Sequence, residues 1–141
     1  MTDEETPEYD DAGEAFLFVA TNPDYATGCT NQNHSPCNCI TLGAPGESGL
    51  HVSRITAAAK SGTTVQGRWK VTRDGGLFVR SAVVTLPGDG QKRGWSWCNR
   101  DGNGNCQGWT FSDGDQLCGG FYLSTGGWVG GGGPACEEAQ R

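Results

Sequence analysis

Between Gly94 and Leu123 the chain concentrates three of its five Trp, two of its five Phe, one of its three Tyr and three of its seven Cys. Aromatic side chains bury the most apolar area per residue, and cysteines this close together in a Gly-rich setting tend to crosslink. The stretch therefore reads as a stapled aromatic core that the rest of the chain must cover. With 24 Gly among 141 residues, 18% charged residues and no sustained 3.6-residue periodicity, the composition argues against a helical bundle. The expected fold is mainly β: a small disulfide-stabilised β-sandwich or barrel-like domain with short hairpins, Gly-rich loops and little helix. Chain length sets the expectation of one domain. Residues 1–14 form an acidic N-terminal tail, 15–136 a single cysteine-rich β domain and 137–141 a C-terminal tail.

Cysteine usage points to a compartment. Cys29, Cys37, Cys39, Cys98, Cys106, Cys118 and Cys136 in so small a chain favour an extracellular or other oxidising location. An odd count predicts three disulfides and one leftover thiol, with the connectivity open. At least one bridge is expected to join two of Cys98, Cys106 and Cys118, or one of these to Cys136. Met1 is followed by Thr-Asp-Glu-Glu-Thr-Pro, not by a basic and then apolar leader, so this reading takes the chain as a mature form lacking its signal peptide. Asn33-His34-Ser35 offers Asn33 as a glycosylation candidate. Cys29, His34, Cys37 and Cys39 are also the residue types of a zinc site, but Cys-x-Cys departs from the usual zinc spacing and disulfides are the stronger expectation.

Local patterns place strands and turns. Ala15–Ala20 is a short apolar run with strand composition, ended by Asn22-Pro23-Asp24. Arg68-Trp69-Lys70-Val71-Thr72 alternates between faces and leads into Asp74-Gly75, a strong hairpin signal because the mirror-image turn needs positive φ. This predicts a hairpin over 67–86, with Leu77–Leu86 a central strand. Ala57-Ala58-Ala59-Lys60 permits one helical turn at most. If the aromatic stretch is extended, Trp95 and Trp97 share a face, as do Trp109 and Phe111. Such a shelf is either core or a stacking platform, which makes Trp95, Trp97, Trp109 and Trp128 the ligand-stacking candidates. Trp128, set among glycines, is the one expected to be exposed. Asp101-Gly-Asn103-Gly-Asn105 imitates the opening of an EF-hand loop, although Cys106 and Ser112 stand where its Gly and Glu belong. A calcium site would use Asp101, Asn103 and Asn105 with Asp113 or Asp115; a plain turn is the alternative. No cofactor is expected.

Cys98-Asn-Arg-Asp-Gly-Asn-Gly-Asn-Cys106-Gln-Gly-Trp-Thr-Phe111, followed by Cys118 and Phe121-Tyr122-Leu123, resembles the central part of PAN/apple domains over residues 94–123. The resemblance implies a non-catalytic domain that binds proteins or carbohydrates. That family places a helix before the middle cysteine, whereas Gly102 and Gly104 disfavour one here.

Charge is unevenly spread: residues 1–53 hold nine acids and no Lys or Arg, whereas 54–136 hold nine bases and five acids. An acidic tail thus has a basic surface to meet, in its own chain or in a partner. The expected function is a non-catalytic binding, structural or accessory subunit of a larger assembly, with protein partners or self-assembly. A carbohydrate-binding module is the first alternative. A small secreted hydrolase using His34 or His51 with Asp101, Asp113 or Asp115 is the second. A pI near 4.7 argues against nucleic acid, and no apolar run approaches the roughly 20 residues of a membrane span.

Overall fold

The computed structural model describes residues 6–9, 13–17, 26–29, 37–43, 50–130 and 133–139. In chain order the strands are β1 (Glu14–Leu17), β2 (Ala26–Cys29), β3 (Cys37–Leu42), β4 (His51–Val52), β5 (Ile55–Lys60) and β6 (Val65–Arg73). They continue with β7 (Gly76–Arg80), β8 (Val84–Leu86), β9 (Arg93–Trp97), β10 (Trp109–Thr110), β11 (Gln116–Leu123) and β12 (Ala135–Glu138). There is no helix among the described residues. One sheet runs β1-β9-β5-β3-β2 and the other β12-β11-β6-β7, with β8 pairing β6 beyond the end of β7 and a small β10-β4 pair beside them. All named pairings are antiparallel, so the chain is a disulfide-stabilised, sandwich-like β domain.

The predicted hairpin forms where its turn chemistry demands. Asp74 and Gly75 both take positive φ, 49° and 92°, the conformation that matches the twist of two flanking strands. Its second half departs from expectation, because Leu77–Leu86 is neither continuous nor central. β7 lies at the end of its sheet and stops at Arg80, and Ser81 explains the break. The Ser81 N–H donates to Trp69 C=O at 2.9 Å, while Ser81 Oγ accepts from the Trp69 N–H at 2.9 Å in place of a strand carbonyl. The backbone is thereby released from the ladder until β8 resumes it.

The alanine run is a strand, not a helical turn. β5 is the middle strand of its sheet and is buried from Ile55 to Ala59, a place for small side chains between large ones. Ala57 sits between Ile40 and Trp95 in register, so the methyl makes room for the indole. Helix propensity of a few tenths of a kcal/mol per residue is overridden by this packing. On the opposite face Thr56 and Ser96 stand in register and their hydroxyls bond at 2.9 Å, which satisfies two buried polar groups at once.

The core gathers Ile40, Ile55, Ala57 and Trp97 from one sheet with Trp69, Val71, Leu117 and Phe121 from the other. Asn38 joins the two sheets. It is fully buried, accepts from the Phe121 N–H at 3.0 Å and donates to Val129 C=O at 3.0 Å and Gly133 C=O at 3.1 Å. A Cβ at Gly120 would collide with the Asn38 side chain, so glycine there is what lets the clamp close. The core also reaches past the last expected core position, since β12 runs to Glu138 and Ala139 is buried.

Candidate ligand-binding face

Residues 6–9 of the acidic N-terminal stretch lie against β7 of their own chain. The N–H groups of Glu8 and Tyr9 donate to Leu77 C=O at 3.1 Å and Phe78 C=O at 3.0 Å along the edge of β7. This caps backbone groups that an edge strand would otherwise offer to another chain. The Tyr9 ring rests on Phe78 and Trp109, with centroids 5.1 and 5.7 Å away, and Phe78 in turn meets Trp109 and Phe111 at 5.3 and 5.4 Å. Beside this cluster Arg73 donates to Asp115 through Nη2 at 2.8 Å and Nε at 3.1 Å, and to Glu8 at 3.5 Å.

That ion pair sets an acid limit. The Ser112 N–H holds the Asp115 carboxyl below its usual value against the opposing effect of desolvation, and Arg73 adds to the lowering. Partial burial opposes the charged Arg73 guanidinium, but Asp115 and Glu8 outweigh it and raise its pKa. A carboxyl whose folded pKa lies below the unfolded one contributes stability above the unfolded value, about 3.9, and loses it as pH falls through the folded value. Melting temperature is therefore expected to fall more steeply below about pH 4 in the native chain than in Asp115→Asn. Parallel curves in a thermal-melt pH series would rule this out.

A second surface lies on the outer face of β6 and β11. Arg68 and Lys70 are two residues apart on β6 and so share a face, with Tyr122 opposite Arg68 and Arg80 opposite Lys70. Lys70 Nζ stands 4.1 Å from the centre of the Tyr122 ring. Trp128 bridges to Tyr122 and meets its ring edge-on at 5.2 Å. At the β7 end this strip opens into a groove of about 520 Å³ lined by Thr6, Pro7, Tyr9, Arg68, Arg80 and Ser81. Arg68 Nη1 donates to Ser81 C=O at 3.3 Å across its floor.

The residues singled out from sequence are dispersed. Trp97 and Trp109 are buried in the core, with 1% and 4% exposure, so neither ring can stack on a ligand, and their indole N–H groups have no partner among the described residues. Trp95 is half-buried and packs against the core. Trp128, expected to be the exposed one, is half-buried because Tyr122 covers one side. The Asp101 loop is a turn closed by its own side chain: Asp101 Oδ1 accepts from the N–H groups of Asn103 at 2.8 Å and Asn105 at 3.0 Å, and Cys98–Cys106 locks its base. Asp113 is exposed, and Asp115 faces Arg73 instead of that loop. No group of three or more His, Cys, Asp or Glu able to hold a metal occurs among the described residues. His51 Nδ1 pairs with Thr110 Oγ1 at 3.3 Å. Asn33 and His34 lie outside the described residues, as do the side chains of Cys29 and Cys37.

Disulfides join Cys98 to Cys106 and Cys118 to Cys136, and Cys39 is disulfide-bonded as well. These bonds indicate an oxidising environment for the folded chain. Sequence reasoning passed over Arg68, Lys70, Arg80, Ser81 and Tyr122 as site residues. The signal was present in the alternation of Arg68 and Lys70 across from an aromatic, but it needs the strand register to become a surface. Comparison with family models, with curated proteins and with solved structures gives no match. The fold and the surface together define a small two-sheet β domain, stapled by disulfides, with a cationic and aromatic face.

Proposed function

We propose that this protein is a non-catalytic extracytoplasmic binding module that contacts its ligand through the outer face of β6 and β11. The observation that carries the reading is that face itself, where Arg68, Lys70, Arg80, Tyr122 and Trp128 are contiguous beside a groove. Cationic and aromatic side chains arranged on rigid strands give both orientation and contact area, and neither needs a reacting group nearby. The resemblance of residues 94–123 to PAN/apple domains points the same way. An accessory role in an assembly, with the tail reaching a partner, has less support, because residues 6–9 bond β7 of their own chain.

The two roles differ in solution. Tyr9→Ala is expected to lower the stability of the isolated chain by about 2 kcal/mol, since it removes two aromatic contacts of about 0.5–1.5 kcal/mol each and some apolar burial. Sedimentation should show a monomer in both proteins. A Tyr9→Ala chain of unchanged stability, together with a native chain that self-associates through its tail, would overturn the binding-module reading in favour of the assembly subunit.

A further inference from the structure

We infer that the edge of β7 around Phe78 is a docking site for a partner polypeptide that presents an acidic residue followed by an aromatic one, and that Pro7-Glu8-Tyr9 of this chain fill the site as a tethered stand-in for that partner. The inference concerns a second surface and does not depend on the reading of the β6 and β11 face. Three features carry it.

The first is the backbone of the seat. Leu77 stands opposite Thr72 and Val79 opposite Val71, so Phe78 is an extra residue in β7, a β-bulge. Successive carbonyls of a regular strand point to opposite edges. At this bulge Leu77 C=O and Phe78 C=O instead both accept from outside the sheet, from the N–H groups of Glu8 and Tyr9. Residues 8 and 9 form a bend, not a strand. Two adjacent N–H groups in a bend thus meet two adjacent outward carbonyls, a specific backbone match that does not simply extend the ladder.

The second is the pair of side chains that the bend delivers. The Tyr9 ring lands on Phe78 and Trp109, while Glu8 Oε1 reaches Arg73 Nη1 at 3.5 Å. An aromatic anchor beside a charge on an arginine is a contact pattern suited to peptide recognition. The arginine is held in place without Glu8, because its guanidinium lies 5.4 Å over the Phe111 ring and pairs with Asp115 at 2.8 Å.

The third is how loosely the stand-in is held. The seat is well packed, with Phe78 at 0%, Phe111 at 2% and Trp109 at 4% exposure, whereas Tyr9 keeps 38% and the Glu8 side chain 50%. The indole N–H of Trp109 has no partner among the described residues, so the stand-in leaves a donor of its own seat unused. A segment on a short tether acts on its site at an effective concentration of roughly millimolar. A partner whose chain runs on past the bend, and adds contacts at either end, outcompetes it. A second copy of this chain offers only the same residues and loses translational freedom besides, so it does not.

The probe is a dye-labelled peptide copying residues 4–11, titrated against the full chain by fluorescence anisotropy. The native chain should bind it only in the roughly millimolar range, where it matches the tethered segment. Tyr9→Ala, which vacates the place of the ring, should bind it about tenfold more tightly, because less of the site is occupied in advance. Replacing the tyrosine of the peptide by alanine should weaken binding to the Tyr9→Ala chain by about tenfold, the loss of the anchor. A peptide of the same composition in scrambled order should not bind. A retained melting transition certifies Tyr9→Ala as folded, and a second readout uses the native chain alone. With the peptide in excess, hydrogen exchange at the Glu8 and Tyr9 amides should quicken while exchange at Val71 and Val79 stays the same. Unchanged exchange at Glu8 and Tyr9, a Tyr9→Ala chain that binds no tighter than the native one, or a scrambled peptide that binds as tightly overturns the inference. Dimerisation of Tyr9→Ala without peptide binding also overturns it, by making a second copy the occupant.

Discussion

Asn38→Ala is expected to cost about 3–5 kcal/mol, a large share of the 5–15 kcal/mol that holds a domain of this size together. The side chain is fully buried and serves three backbone groups: the N–H of Phe121 and the carbonyls of Val129 and Gly133. Truncation leaves a donor and at least one acceptor without partners in the interior, and each such group costs about 1–3 kcal/mol. Asn38→Asp gives the sharper result. Near neutral pH it keeps the acceptor for Phe121 but turns a carboxylate toward two carbonyls, so it should be worse than alanine. Its folded pKa would be raised above the unfolded value, so its stability should recover as pH falls through that raised value and the carboxyl becomes a donor. Chemical denaturation of both variants at two pH values measures this. If Asn38→Ala costs less than about 1 kcal/mol, or Asn38→Asp shows no recovery in acid, the clamp is not what holds the two sheets in register.

The importance of Asn38 was not legible in the sequence, where it is one polar residue between two cysteines. Its partners lie 83 to 95 positions away, and only the fold brings a polar side chain to a gap between sheets. What was legible is local. The Asp74-Gly75 hairpin follows from conformations that few other residues adopt, and the core positions of Trp69 and Val71 follow from strand alternation. The mainly β character follows from glycine, turn residues and the lack of helical period. Misreadings came where tertiary contacts outvote local preference. Ala57–Ala59 became strand because the middle of a sheet needs small residues beside Trp95. Leu77–Leu86 broke because the Ser81 hydroxyl competes with the ladder. Strand alternation leaves the aromatic shelf open to either a core or a platform role, and in the fold Trp97 and Trp109 take the core. The cationic face was missed because Arg68, Lys70, Arg80 and Tyr122 become neighbours only through register, and charge counted along the chain does not reveal which charges share a surface.

Reduction is the other large perturbation expected, and it should lower the melting temperature by about 20 °C. Cys98–Cys106 and Cys118–Cys136 close loops of 8 and 18 residues, for which restriction of the unfolded chain is worth about 2.5 and about 3 kcal/mol. At about 4 °C per kcal/mol for a chain of this length, the two together give that shift before the bond at Cys39 is counted. Both bonds present an exposed cysteine, Cys106 and Cys136, so a small thiol reaches them without prior unfolding. The bonds should differ in what they release. Cys118 and Cys136 face each other across β11 and β12, and β12 carries Ala135 into the core, so Cys136→Ser should loosen an edge strand as well as relax the unfolded chain. Cys106→Ser should act mainly on the loop around Asp101, whose side chain still closes the turn. Hydrogen exchange separates the two, with early loss of protection at Leu117–Gly119 in the first variant and at Asp101–Asn105 in the second. Thiol titration of the unreduced chain in denaturant supplies the reference, with about one reactive thiol expected from the odd cysteine count. Five or more thiols, or a melting temperature indifferent to reductant, would contradict the stapled architecture. A shift of the expected size would mean that the fold, and with it the cationic and aromatic face, depends on the oxidising environment that the disulfides indicate.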